Sequence, residues 1–136
     1  MSTPFQPASI LLIVALTTLL GCSAAKYDGP PRAEVSGSVT FKGAPVEQGS
    51  INLTPIDHDG RQASASIEGG KYLIPEEQGP NLGKYRVELY VFQPPKNAPP
   101  EGSDAGMAQV APPEFNKNSK VEFDVDSGKV TKDFSL

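Results

Sequence analysis

The feature that most limits what this chain can fold into is a period-two alternation of apolar and polar residues. It recurs in short runs separated by Gly, Pro and Asp. Glu34–Phe41 places Val35, Val39 and Phe41 on one face with Gly37 between them. Ser50–Ile56 pairs Ile51 with Leu53, and Ala63, Ala65 and Ile67 alternate with Ser64 and Ser66. Lys71–Ile74 carries Tyr72 and Ile74, and Lys84–Phe92 aligns Tyr85, Val87, Leu89 and Val91. In Lys120–Asp126, Val121, Phe123 and Val125 alternate with charge; Val130, Phe134 and Leu136 share a face that Lys132 breaks. Alternation of this kind is the mark of strands buried on one side only. No segment beyond residue 22 repeats at helical spacing.

The turns agree with that reading. Lys42-Gly43-Ala44-Pro45 closes the first run, Asp57-His58-Asp59-Gly60 joins the second and third, and Asp126-Ser127-Gly128-Lys129 joins the last two. Glu68-Gly69-Gly70-Lys71 is a tight hairpin signal, because glycines supply the positive φ such turns need. Seven short strands within residues 34–136 predict an all-β fold. The expected architecture is an antiparallel Ig-like or transthyretin-like β-sandwich of about seven strands. The exception is Gln93–Ser119, a 27-residue stretch with six prolines. A loop of that length is uncommon inside a compact domain, and it is expected to lie as a flap along an edge or face.

Composition narrows the function. The chain has 136 residues, 12 Lys+Arg against 16 Asp+Glu, and a formal net charge of −4. That size allows one domain, and an acidic balance argues against nucleic acid as a partner. One Cys and one His exclude an internal disulfide and a zinc site built on Cys and His. No cofactor is implied.

The N-terminal segment is of a different kind. No charged side chain precedes Lys26, and Ile10–Leu20 is apolar apart from two Thr. Its eleven residues would rise about 16 Å as a helix, roughly half of a hydrocarbon core. The run is too short for an ordinary span and fits the apolar core of a secretory signal. Against a helix buried in the fold stand Pro4 and Pro7 before it and Gly21 after it.

Leu19-Leu20-Gly21-Cys22 resembles the lipobox of bacterial lipoproteins: an aliphatic residue, a tolerant position, a small residue, then the Cys. The resemblance implies cleavage between Gly21 and Cys22. It also implies a diacylglycerol thioether on Cys22 and acylation of the new amine by a palmitate-type chain. Leu20 is bulkier than is usual there, and Met1–Ser9 carries no Lys or Arg. The alternatives are a plain secretory signal with an incidental Cys, or a free buried thiol. Ser23, in place of the Asp that often marks inner-membrane retention, favours the outer membrane, facing periplasm or surface. The expected organisation is signal 1–21, lipidated N-terminus and tether 22–33, and sandwich 34–136 with a Pro-rich insert at 93–119.

Residues 34–136 resemble small planctomycete-type lipoproteins with a carboxypeptidase regulatory-like (transthyretin-like) β-sandwich. The resemblance rests on Val35-Ser36-Gly37-Ser38-Val39, Gly43-Ala44-Pro45, and the Gly49–Pro55 strand ending in Thr-Pro. It continues with Gly69-Gly70-Lys71-Tyr72, Gly83-Lys84-Tyr85-Arg86-Val87 and Pro113-Glu114-Phe115-Asn116. It implies a non-enzymatic domain and no particular ligand.

Several constellations raise chemistry, and the sequence favours a bland reading of each. Asp57-His58-Asp59-Gly60 has the acids of a calcium loop, with Glu68 at its twelfth position. Arg61 stands where a fifth-position oxygen ligand belongs, so a polar turn is the better reading. A two-ligand cation site completed from another loop stays open. His58 as a base would need Ser50, Ser64 or Ser66 beside it, and nothing in the sequence places one there. Glu122, Asp124 and Asp126 share a strand face, which is read as the solvated side rather than an acid/base pair. Tyr90 and Phe92, opposite the buried face and beside Arg86 and Glu88, are candidate ligand-binding aromatics. The Pro-rich stretch lying over them is the favoured alternative. No catalytic and no metal-binding residue is assigned. The functional expectation is a lipid-anchored, non-catalytic structural or binding module of the envelope, held to a membrane through acyl chains on Cys22. Its protein or glycan partner is unspecified. The alternative is a carbohydrate- or peptide-binding accessory domain using Tyr90, Phe92 and the 93–119 loop.

Overall fold

A computed structural model of the protein describes residues 26–97 and 106–136. These residues form an all-β fold with two single-turn 3₁₀ segments and no α-helix. The strands are β1 Glu34–Phe41, β2 Ala44–Pro45, β3 Gln48–Pro55, β4 Ala63–Glu68 and β5 Lys71–Ile74. They continue with β6 Gly83–Gln93, β7 Ala108–Gln109, β8 Glu122–Val125, β9 Lys129–Thr131 and β10 Phe134–Ser135. The expected runs all appear as strands, the last broken at Lys132–Asp133.

The sheet is continuous and curls on itself. One half carries β5, β1 and the C-terminal strands; the other carries β4, β3, β6 and β8. The halves meet where β4 and β5 pair over only Ile67↔Tyr72 and Glu68↔Lys71. The turn between them holds Gly69 at φ 54° and Gly70 at φ 77°, a left-handed pair that an L-residue adopts with strain. Inward residues of both halves make one core. Val35, Val39, Phe41, Tyr72 and Ile74 come from the first, and Ile51, Leu53, Ile67, Tyr85, Val87, Leu89, Val91, Phe123 and Val125 from the second. The alternation places each on the enclosed face, so burial of apolar area and strand register are set by the same pattern.

The pairing is antiparallel with one departure. β9 and β10 run parallel to β1, with Val35↔Val130 and Val39↔Phe134 in register. The Asp126–Lys129 turn therefore does not close a hairpin. It carries the chain from β8, paired to β6, across to β1.

Two boundaries differ from expectation. Hydrogen bonding to the body begins at Pro30, and burial at Ala33, rather than at Glu34: Ala33 is fully buried and its N–H bonds to the Pro80 carbonyl at 2.9 Å. The Asn81 amide holds the carbonyls of Pro30 and Pro31, each at 3.1 Å. Gly79 makes this crossing possible, since a Cβ there would sit 1.8 Å from the Ala33 oxygen. The second half of the Pro-rich insert is also part of the body. Residues 108–109 pair with β6, Ala111 and Asn116 are buried, and the Ser119 hydroxyl bonds to the Val87 carbonyl.

Strand directions sort the connections to two ends. The N-terminal segment, residues 56–62, residues 75–82 and residues 126–128 gather at one end. The turns at 42–43 and 69–70, the start of the insert and Leu136 gather at the other.

Candidate functional site

Gly21 and Cys22, the expected cleavage and lipidation positions, lie outside the described residues. No helix among the described residues is long and apolar enough to cross a membrane. The first described residues show how a tether would join the fold. The Arg32 guanidinium stacks 3.5 Å from the Tyr27 ring centroid and donates to the Glu77 carbonyl at 2.7 Å. The chain is thus fastened to the end that carries the 75–82 loop.

His58 is at that same end and has a packing role. Its ring meets Tyr85 edge-on at 5.1 Å, and Nε2 lies 3.0 Å from the Lys84 carbonyl. Gly83, at φ 138°, leaves the space the ring occupies, since a Cβ there would lie 2.7 Å from Nε2. The Tyr85 hydroxyl below it is buried and meets no partner at full hydrogen-bond geometry. Burial pushes its pKa up, and the Asn81 backbone acts the other way. Asp57 adopts φ 58°, as a polar turn allows. No group of three metal-ligating side chains converges among the described residues. Glu122, Asp124 and Asp126 are exposed, and Glu122 lies 3.6 Å from Lys84.

Tyr90 and Phe92 are both half-buried rather than exposed. The Tyr90 hydroxyl donates to the Glu88 carboxylate at 3.2 Å, and Glu88 in turn holds Arg86 at 3.3 Å. Burial and then the Glu88 charge raise the Tyr90 pKa. Phe92 pairs with Gln109 of the insert and borders a groove with Pro45, Pro94 and Met107. The insert therefore flanks Phe92, and Tyr90 faces Ser50 across the ladder.

A concave polar surface lies elsewhere among the described residues. On the outer face of β4, β3 and β6, a cleft of about 750 Å³ is lined by Asn52, Thr54, Arg61, Gln62, Ser64, Gln78, Arg86 and Glu88. The strands build its floor: Asn52 stands opposite Ser64 on one side and Glu88 on the other. The loops at the end that carries the N-terminal segment build its rim. The Arg61 N–H bonds to the Asn81 side-chain oxygen at 2.9 Å, which fixes where the Arg61 side chain starts. Arg86 and Glu88 belong to the ion pair above, whereas Arg61 has no acidic partner among the described residues. The sequence reading missed this cleft. Its members come from strand faces read as solvated and from two loops far apart in the chain.

Comparison of the chain with protein-family models, curated proteins and solved structures finds no match.

Proposed function

We propose that the protein is a lipid-anchored lipoprotein of the bacterial cell envelope whose β-sandwich serves as a non-catalytic structural or binding module. The observation that carries this reading is the position of the sole Cys. Cys22 directly follows Gly21 and the apolar run Ile10–Leu20, and shortly precedes Pro30, where the chain first hydrogen-bonds to the body. The seven residues 23–29 reach at most about 24 Å when extended. The end carrying residues 56–62, 75–82 and 126–128 then faces the bilayer. One acyl chain holds only reversibly, whereas several make the attachment effectively permanent. Ser23 favours the outer membrane, facing periplasm or surface.

Intact-mass spectrometry of the membrane fraction tests this. The expected species begins at Cys22 and carries a diacylglycerol thioether and an amide-linked palmitate-class chain; Cys22→Ala moves the protein to the soluble fraction. An uncut leader or an unmodified thiol overturns the reading.

A second reading, an accessory domain binding carbohydrate or peptide through Tyr90, Phe92 and the insert, has one observation in its favour. Phe92 borders the groove formed with Pro45, Pro94 and Met107. Binding to a glycan or peptide array that vanishes in Phe92→Ala supports it.

A further inference from the structure

We propose that the cleft on the outer face of β3, β4 and β6 binds a carboxylated oligosaccharide, with Arg61 receiving the ligand carboxylate. The argument starts from what the cleft offers. Asn52, Gln62 and Gln78 bring amides that both donate and accept, and Thr54 and Ser64 bring hydroxyls that do the same. Sugar hydroxyls also donate and accept, so an array of neutral two-way groups suits them better than it suits an apolar ligand. The volume of about 750 Å³ is that of a small-molecule site.

A peptide is the weaker candidate on two grounds. Extended peptides are commonly held by adding a strand to an open sheet edge. Here β3, in the middle of the floor, is paired on both sides, to β4 and to β6, and the edge left without a ladder partner on β4 is only the short run Ala63–Ser66. The cleft also lacks the apolar pockets that would select side chains, since its lining apart from Leu53 and Ala63 is polar.

Charge then narrows the sugar. Arg86 is matched by Glu88, which Tyr90 also holds, so this row along β6 is pre-set without a ligand. Among the described residues the Arg61 guanidinium hydrogen-bonds only to the Glu77 carbonyl, at 3.4 Å, and forms no ion pair. A guanidinium with free N–H groups at the rim of a hydroxyl-lined cleft fits a carboxylate in bidentate fashion. The chain as a whole carries −4, so an acidic glycan would be held by this local arrangement and not by long-range attraction.

The proposal does not rest on lipid attachment and shares with the second functional reading only the ligand class. The test is calorimetric titration of the full chain in detergent with trigalacturonic acid, its methyl ester and neutral maltotriose. The acid is expected to bind at least about tenfold more tightly than the ester, as loss of a charge-assisted bidentate pair implies. Arg61→Gln is expected to remove that preference. Ser64→Phe, which fills the cleft from an exposed strand position, is expected to abolish binding with the thermal midpoint kept. Lys129→Gln, a cation on another part of the surface, and Cys22→Ala are expected to bind as the parent does. No binding of trigalacturonic acid at millimolar concentration overturns the proposal. So does binding that survives Ser64→Phe, or that falls equally in Lys129→Gln. Should Arg61→Gln fail to fold, the ester comparison and Ser64→Phe decide the matter.

Discussion

The Tyr72 hydroxyl donates a 2.6 Å hydrogen bond to the carbonyl of Lys132, sixty residues further along the chain. The bond ties β5 to the break between β9 and β10, over the point where Gly37 of β1 has no side chain. Burial, and then the charge of Asp133, raise the Tyr72 pKa well above its ordinary value of 10.0. An acid whose pKa is raised on folding stabilises the fold below its unfolded pKa and ceases to do so as pH climbs past it. Stability should therefore fall as pH rises above about 10, where the unfolded chain's tyrosines ionise. Tyr72→Phe should lose about 1–2 kcal/mol at neutral pH and should flatten the alkaline fall. Denaturant titrations at neutral pH and at alkaline pH would show both.

Gly37→Ala tests the same junction sterically. A Cβ at position 37 would lie 1.8 Å from the Lys132 oxygen, which is main chain and cannot swing aside. The C-terminal strand must shift or detach, at a cost of about 2–3 kcal/mol or more. Hydrogen exchange should show the amides of Lys132 and Leu136, bonded to Ser36 and Thr40, losing protection before those of β3.

Asp133 supplies an acid-side counterpart. Its carboxylate accepts from the Ser38 N–H at 2.7 Å and from the Ser38 hydroxyl at 2.9 Å, standing in for a strand partner where the ladder is broken. The Ser38 backbone bond, and then the Ser38 hydroxyl, hold its pKa below the usual carboxylate value. A lowered carboxylate pKa gives stability that is present above the unfolded pKa and is lost as pH falls through the folded one. Asp133→Ala should be less stable than the parent at neutral pH, and the gap in thermal midpoint should close in the acid range below about pH 4. A gap that stays constant to low pH would show that the carboxylate's charge does not matter.

Asn116 should prove a structural residue of the insert. It is 1% exposed, its amide donates to the Ala111 carbonyl at 3.1 Å, and its side-chain oxygen receives the Lys117 N–H at 2.7 Å. Asn116→Leu leaves those groups unpaired at a cost of about 1–3 kcal/mol. Limited proteolysis should then cut between residues 106 and 120 faster than in the parent.

The membrane orientation proposed above can be checked by fluorescence. In the acylated protein, a label on a Cys placed at Ser127 should be quenched by nitroxide lipids more strongly than one at Gly43. The two sites lie at opposite ends of strands of eight residues, about 27 Å apart along the strand axis. Equal quenching would mean that the sandwich lies flat or stands free of the bilayer.

Much of the fold was legible because alternation and burial are one pattern here. Tyr85, Val87, Leu89 and Val91 could be assigned inward from spacing alone, and all four are buried. Gly37 stood out as a gap in an inward row, although nothing local says that a carbonyl from residue 132 fills it. The parallel seating of the C-terminal strand was not legible, because period-two alternation gives a strand's buried face but not its direction. Ala33 was read as tether because its neighbours are Pro-Pro-Arg, yet the Asn81 amide pins that stretch from a distant loop. The burial of Asn116, noted only as part of a motif, and of Ser119 was missed because a polar side chain reads as solvated until its buried partners are known. The cleft was hidden for a related reason: Arg61 and Gln78 come together only through loops whose paths the strands decide.

The parallel union of β1 with β9 and β10 places the first strand of the domain beside the last. A chain made from its N-terminus delivers β1 long before β9 and β10 exist. Until Lys129–Ser135 arrive, β1 keeps one unclaimed flank, and an open flank is a template for mispairing with another copy. Synthesis and closure of the fold are thereby ordered in time, since β1 can meet β5 well before it can meet β9 and β10.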